Sequence, residues 1–397
     1  MASQSFVSQV IRGSLLISGT AIGAGMLGIP LLTYQAGAFP ATFITIAVWL
    51  YMLATGLLLL EVTLWMDENA NILSMSKRFL GYKGRALAGI VYLFLYYSLM
   101  VAYFSAGSPL LSAFLQGVFG IEVSGASANF IFGALFFSIV ALGLRIVDRI
   151  NYILMMGLGA SFILLLGVGI KDIKPESFIY ADYGKGVLAA PLLLGAFGYH
   201  NVIPSLTTYF KKNARVMRFA IIGGTTIPLI VYLLWQWMII GTMSEELVLD
   251  AVDKGLPITQ ALMVLTHKPW TSITGQVFSF FAIVTSTIGV AFAMVDFIGD
   301  GFKMKRNGRS RFVLSLLTFF PPFLLSAIDP SLFVIALSLA GGFGETFLNG
   351  ILPVAMVYKG RYISHLGSEY RLFGKKMLVF LFTVAVLVIV LEFFILF

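Results

Sequence analysis

Apolar residues run along this chain in blocks and not in alternating stripes. Stretches of roughly 20 residues with almost no charge recur from one end to the other, separated by short segments that gather Lys, Arg, Gly and Pro. A helix of about 20 apolar residues crosses the roughly 30 Å hydrocarbon layer of a bilayer. A transmembrane barrel would instead alternate apolar and polar positions in segments of about 10 residues, so the pattern reads as all-α. Eleven transmembrane helices are predicted, near residues 10–34, 39–66, 86–115, 128–146, 150–170, 187–209, 216–241, 271–298, 312–328, 331–357 and 376–396. The first block contains Gly and Pro, lacks a short basic leader and is followed by further spans. It is therefore expected to remain a helix and not to be a cleaved signal peptide.

Composition supports a membrane protein, since 59% of residues are hydrophobic and only 11% are charged. The net charge of +8 would suggest nucleic-acid binding in a soluble protein, but here the basic residues are segregated by segment. With the N-terminus inside, the inner segments hold Arg12; Lys77, Arg78, Lys83 and Arg85; Arg145 and Arg149; and Lys211, Lys212, Arg215 and Arg218. Farther along they hold Lys303, Lys305, Arg306, Arg309 and Arg311, then Lys359, Arg361, Arg371, Lys375 and Lys376. Only Lys171, Lys174, Lys185, Lys254 and Lys268 fall on the other side. The positive-inside rule then gives a cytoplasmic N-terminus and an outer C-terminus, in an inner membrane, with lipid and not nucleic acid as the surrounding partner. Cysteine is absent, which excludes disulfides and thiolate chemistry, and three histidines make a metal site or cofactor improbable chemistry for this chain. In the outer segment 242–270, Pro257 and the apolar run Ile258 to Leu265 fit a short helix lying across the outer face as a lid.

Two spans depart from the uniform pattern. The first reads Gly19-Thr20-Ala21-Ile22-Gly23-Ala24-Gly25-Met26-Leu27-Gly28-Ile29-Pro30, a density of helix breakers that costs about 1 kcal/mol per Gly and about 3 for Pro in an ordinary helix. The sixth reads Gly195-Ala196-Phe197-Gly198-Tyr199-His200-Asn201-Val202-Ile203-Pro204. Unwound backbone at membrane depth is tolerated only where it is buried in protein or lines a cavity. Interrupted spans one and six would open the two halves of a five-plus-five inverted repeat, about 10–170 and about 187–357, within a single transporter domain. The helix at about 376–396 is then an appendage, and the paired breaks point to a transport site at the membrane midplane.

These two motifs, with the chain length and the number of spans, resemble the tyrosine and tryptophan permeases of the hydroxy and aromatic amino acid permease family. That family is similar to the amino acid–polyamine–organocation superfamily with the LeuT-type fold. The resemblance implies import of an aromatic amino acid, tyrosine foremost, by proton symport with alternating access. A permease for tryptophan or for a small neutral amino acid, or coupling to sodium, remains the alternative.

A zwitterion needs N–H donors for its carboxylate and carbonyl acceptors for its ammonium, and unwound backbone supplies both. Gly23, Ala24 and Gly25, with Met26 beyond them, are the expected carboxylate cradle; the resemblance points to the same place. Carbonyls around Ala21 and Ile22, and from Ala196 through Phe197 and Gly198 to Tyr199, are the expected ammonium acceptors. Phe197 and Tyr199 are candidates to stack on the substrate ring, as are Tyr96 and Tyr103, which share a helical face with Tyr92 and Leu99. Tyr92 itself reads as packing, and Gly56, in an unbroken span, reads as packing only.

Ion coupling has two deeply placed ionisable candidates, His200 and Glu345, because such groups inside a membrane are costly unless functional. Thr285, Ser286 and Thr287 resemble by position the hydroxyls that ligate sodium in some LeuT-type transporters, although membrane Ser and Thr more often bond their own helix carbonyls. Glu61 and Asp296 read as solvated helix ends, and Glu392 as peripheral. Nothing resembles a catalytic set, so the chain is not expected to be an enzyme.

Overall fold

The computed structural model describes residues 5–67, 70–142, 144–259, 269–304, 308–367 and 370–396, and among these all regular structure is helical. Helix α1 (Phe6–Ala21) stops at the first Gly-rich break, and the helical segment that follows it, beginning with α2 (Gly25–Thr33), is bent by 63° from it. Unbroken α3 (Ala38–Leu64) follows. Helix α4 (Ile72–Phe119) begins at a capping box in which Asn71 and Ser74 exchange side chain-to-backbone hydrogen bonds. It turns sharply at Gly81, whose φ of 76° and ψ of −169° suit only glycine. The span expected from residue 86 is thus preceded by about four helical turns beginning at Ile72, with the bend at Gly81 among them. Helices α5 (Gly125–Leu142) and α6 (Leu144–Gly169) meet earlier in the chain than hydropathy suggests.

The second half opens with a short α7 (Tyr183–Leu188), then α8 (Ala190–Ala196) and α9 (Ile203–Tyr209), which flank the second break. It continues through α10 (Ala214–Thr242), α11 (Glu245–Asp253), α12 (Pro269–Gly301) and α13 (Gly308–Ile328). Helix α14 (Phe333–Leu339) widens into a π-helical stretch, Ala340–Ile351, before α15 (Leu352–Tyr362) and the appended α16 (Lys375–Leu396). Among the described residues, nine helices are long and apolar enough to cross a membrane, and the bent α1–α2 pair makes up to ten. The remaining expected span is the α8–α9 segment, whose helical pieces are seven residues each. Most of the run Ile258 to Leu265, the expected lid, lies outside the described residues; the helix seen in this segment is α11, with Val248 and Ala251 buried.

Small residues set the closest packing, as expected where lipid gives helices no hydrophobic drive to associate. Along the α1–α10 seam, Gly224 lies under Ile17 and Gly13 under Phe210 and Ala220, leaving no room for a Cβ. Between α2 and α8, a Cβ on Gly25 would meet the Ala196 backbone at 3.1 Å.

Two acids sit in surroundings unlike those expected. Glu61 is not solvated at a helix end: it is buried on α3 and forked by Arg361 of α15, whose Nε donates to Oε1 at 2.7 Å while Nη2 pairs with Oε2. The same guanidinium also donates to the Phe373 carbonyl. Glu392 is not peripheral either. Helix α16 faces outward through Val379, Phe380, Leu387 and Phe394 but buries Leu381, Ala385, Val388 and Glu392 against the body of the protein. The Glu392 carboxylate accepts from Ser338 Oγ at 2.9 Å and lies over Gly342, whose missing side chain makes the space.

Breaking a buried ion pair by removing one partner costs about 3–5 kcal/mol, whereas replacing both partners with neutral groups of similar volume is often tolerated. Arg361→Met should therefore sharply lower the thermal unfolding temperature of the detergent-solubilised protein, and adding Glu61→Gln to it should recover most of the loss. A double variant no more stable than Arg361→Met would show that the guanidinium's bond to Phe373, and not the ion pair, carries the stability.

Candidate functional site

The two breaks face one another across a cavity of ≈ 400 Å³. At the first, helical hydrogen bonding ends at Ala21 and resumes at Gly25, where the Met26 and Leu27 N–H groups donate back to the Gly23 and Ala24 carbonyls at 3.2 and 3.1 Å. At the second, α8 stops at Ala196, a 3₁₀ turn spans His200–Val202, and Pro204 sits in the first turn of α9, where its missing N–H costs nothing.

Side chains from unbroken helices satisfy much of this backbone. The Tyr232 hydroxyl of α10 lies 2.7 Å from the Ala21 carbonyl and 2.8 Å from the Ala196 carbonyl, so the two expected ammonium acceptors converge on one group. A phenol has a single proton, so it donates to only one of them at a time. Trp235 Nε1 donates to the Met26 carbonyl at 2.9 Å. From α12, Ser286 Oγ accepts the Ala24 N–H at 2.9 Å, and Gly23 is so close that a Cβ there would overlap the same oxygen.

Away from the breaks the cavity is walled by aromatic rings. Tyr92 stacks on Phe297, with centroids 4.3 Å apart and planes 20° apart, and meets Tyr96 edge-on with their hydroxyls 2.8 Å apart. The wall continues to Asn71 at the start of α4 and to Asp296 and Asp300 near the end of α12, the end of the bundle that also carries Lys77, Arg78 and Lys303. At the opposite end, Phe162, Trp235 and Phe278 form a triangle of rings 5.4–6.5 Å apart, and α2, α8 and the π stretch touch almost backbone to backbone, with Gly195 against Gly341. Among the described residues, the cavity lining reaches the Asn71, Asp296 and Asp300 end and does not include this ring cluster.

Of the residues singled out from sequence, Ala21, Gly23, Ala24, Gly25, Ala196, Gly198, Tyr199, His200, Tyr96 and Tyr103 line this cavity, as do Ser286 and Glu345. Ile22 and Thr285 line a smaller adjoining space of ≈ 290 Å³. Met26 is buried outside it, and Phe197 packs edge-on against Tyr232 at 4.9 Å with no face on the cavity. Tyr92, read from sequence as packing, is on the wall. Gly56 is more than packing: the Tyr199 hydroxyl, donating to the Met52 carbonyl at 3.1 Å, fills the space a side chain at Gly56 would need.

Both ionisable candidates are buried at the second break. His200 Nε2 is 3.0 Å from Thr55 Oγ1, its ring tilts against Tyr199, and Nδ1 has no partner among the described residues. The Glu345 carboxylate accepts from Asn349 and lies so close to Gly198 that a Cβ there would meet Oε1 at 2.6 Å. Thr285 and Thr287 turn back to their own helix, donating to the Phe281 and Ile283 carbonyls at 2.8 and 2.7 Å.

Sequence reasoning missed Tyr232, Phe297, Thr55 and Asn349. Tyr232 left the clearest signal, since a tyrosine deep inside a span must find a partner for its hydroxyl.

The model of the tryptophan/tyrosine permease family matches residues 7–392. Tyrosine-specific transport system 1 of Haemophilus influenzae is 31% identical over 376 residues, covering 93% of this chain and 92% of that protein. The tryptophan-specific transport protein of the same organism is 29% identical over 381 residues, covering 92% and 90%. A solved structure, that of MhsT in complex with L-phenylalanine, is similar with a TM-score of 0.65 at 15% identity, covering 97% of this chain and 98% of that one. This agreement places the chain in the LeuT-type fold expected from its two broken helices. Its relatives are permeases and not enzymes, and the chain belongs to the tryptophan/tyrosine permease family.

Proposed function

We propose that this permease imports an aromatic amino acid, tyrosine foremost, across the inner membrane by proton symport with alternating access. The observation that carries the reading is one cavity with two kinds of wall: unwound backbone at Ala21, Ala24 and Ala196 on one side, and the Tyr92, Phe297 and Tyr96 rings on the other. The first suits a zwitterion and the second an aromatic side chain. A volume of ≈ 400 Å³ lies within the range of small-molecule sites. The preference for tyrosine rests on two relatives at 31% identity, both named as tyrosine-specific.

With the basic end of the bundle in the cytoplasm, as the charge pattern favours, the cavity is inward-facing and the Phe162, Trp235 and Phe278 cluster closes the outer side. Proton coupling is favoured by the side chains at the second break. His200 and Glu345, whose charge a proton changes, both line the cavity, whereas Thr285 lines only the smaller adjoining space and Thr287 lines neither.

Uptake of labelled tyrosine into proteoliposomes tests the substrate assignment. Unlabelled phenylalanine or tryptophan should compete and serine should not; equal competition by serine would favour a small-neutral permease. Phe297→Ala should weaken aromatic substrates by about 0.5–1.5 kcal/mol beyond the lost contact area.

Gly25→Leu should abolish uptake while the protein still inserts, because its side chain would drive α2 away from Ala196. Gly56→Leu should also impair uptake, by displacing Tyr199 from the cavity wall. Normal uptake by a well-expressed Gly25→Leu protein would remove the first break from the site.

For coupling, an ion drives transport only if its affinity differs between conformations. His200→Gln or Glu345→Gln, whichever removes the carrier, should abolish accumulation driven by a pH gradient yet preserve exchange of labelled for unlabelled substrate at equal pH. Accumulation surviving in both variants would exclude both residues as the obligatory carrier.

A further inference from the structure

The Ala24 N–H has one proton to give, and in this structure a side chain from elsewhere in the chain already takes it. Ser286 Oγ accepts it at 2.9 Å from α12, 262 residues along the chain, and only the absence of a side chain at Gly23 lets the hydroxyl reach so far into the break. A serine inside a membrane helix ordinarily bonds a carbonyl one turn back. Thr285 and Thr287 on either side do so, to Phe281 and Ile283, while Ser286 reaches across to α1–α2 instead. Ser286 also lines the substrate cavity, and Tyr103 of α4 faces its hydroxyl from within that cavity.

We propose that the Ser286 hydroxyl is a built-in stand-in for the substrate carboxylate: it occupies the Ala24 N–H that the carboxylate needs, yields it when substrate binds and takes it back when substrate leaves. The proposal rests on the reading that the carboxylate is captured at the start of α2. Chemistry favours the exchange in both directions. A carboxylate oxygen is a stronger acceptor than a neutral hydroxyl, so substrate displaces Ser286. A buried N–H left without any acceptor is costly, so the hydroxyl closes behind a departing substrate and lowers the barrier to release. Ser286 is therefore a positioning residue whose effect on affinity is opposite in sign to that of a ligand.

The test compares tyrosine with tyramine, which keeps the ring and ammonium but lacks the carboxylate, on purified wild-type, Ser286→Ala and Ser286→Gly proteins. Equilibrium binding should show tyrosine held about two- to tenfold more tightly by both variants, through slower dissociation, as expected for removal of one competing hydrogen bond. Tyramine affinity should be the same in all three proteins, which separates loss of a competitor from general loosening of the site. Weaker tyrosine binding in the variants would make Ser286 a ligand of substrate or ion and overturn the proposal while leaving the carboxylate site intact. Equal shifts for both compounds would overturn it as well. Wild-type protein that binds tyramine as tightly as tyrosine would instead remove the carboxylate reading itself, and the stand-in with it.

Discussion

Water is absent from the hydrocarbon layer, so every backbone N–H and C=O that leaves a helix there must be satisfied by the protein or by what the protein carries. The rest of this structure is arranged around that constraint at two places, Ile22 to Ala24 and Phe197 to Val202. The groups that meet it come from helices that are themselves unbroken: Tyr232 and Trp235 from α10 and Ser286 from α12. Tyr232 lies within hydrogen-bond reach of a carbonyl from each break and donates to one at a time, so one hydroxyl bridges the two halves of the site. Hydroxyl and indole partners are neutral and directional. They satisfy backbone groups without burying a formal charge, which would demand a counter-charge where a zwitterion has to fit.

Closure of the end away from the cavity follows from residue size. Gly25 against Ala196, Gly28 against Leu192 and Leu337, and Gly195 against Gly341 let α2, α8 and the π stretch approach more closely than larger side chains allow. The π stretch also carries Glu345 to the second break, with Thr346 Oγ1 donating to the carbonyl of Gly341 five residues back. A widened helical turn in the middle of a span is a costly conformation, and such turns occur frequently at functional sites.

How much of this was legible follows from the kind of signal each feature leaves. Both breaks were visible because Gly and Pro act locally: Gly23, Gly25, Gly198 and Pro204 disfavour a helix interior whatever packs around them. Which side chains face the cavity was less legible, because helical spacing says nothing about residues outside a helix. Phe197 and Tyr199 flank the same break, yet one packs under Tyr232 and the other reaches the cavity wall. Tyr92 looked like packing because its partner, Phe297, lies on a helix about 200 residues away in the chain. Glu61 looked solvated for the same reason, since depth in a span can be read from neighbours but the approach of Arg361 cannot. Pairings across long sequence separation leave no periodic trace in one sequence.

The three deeply buried carboxylates among the described residues, Glu61, Glu392 and Glu345, illustrate what such pairings decide. Glu61 is forked by Arg361, a permanent counter-charge, and has no place on the cavity wall. Glu392 is bonded to Ser338 behind the π stretch and likewise does not reach the cavity. Glu345 alone among them borders the space through which substrate and ions would pass, held by the uncharged Asn349 and pressed against the backbone of the second break at Gly198. A group that couples proton movement to conformation has to gain and lose its proton, and a fixed cation beside it would oppose the gain. On the proposed reading it also has to sense which way the broken helices point, and contact with Gly198 would supply that. On the proposed reading, burial alone does not nominate a carrier; burial beside a moving backbone, with an uncharged partner and a path to water, does, and among these acids that combination belongs to Glu345.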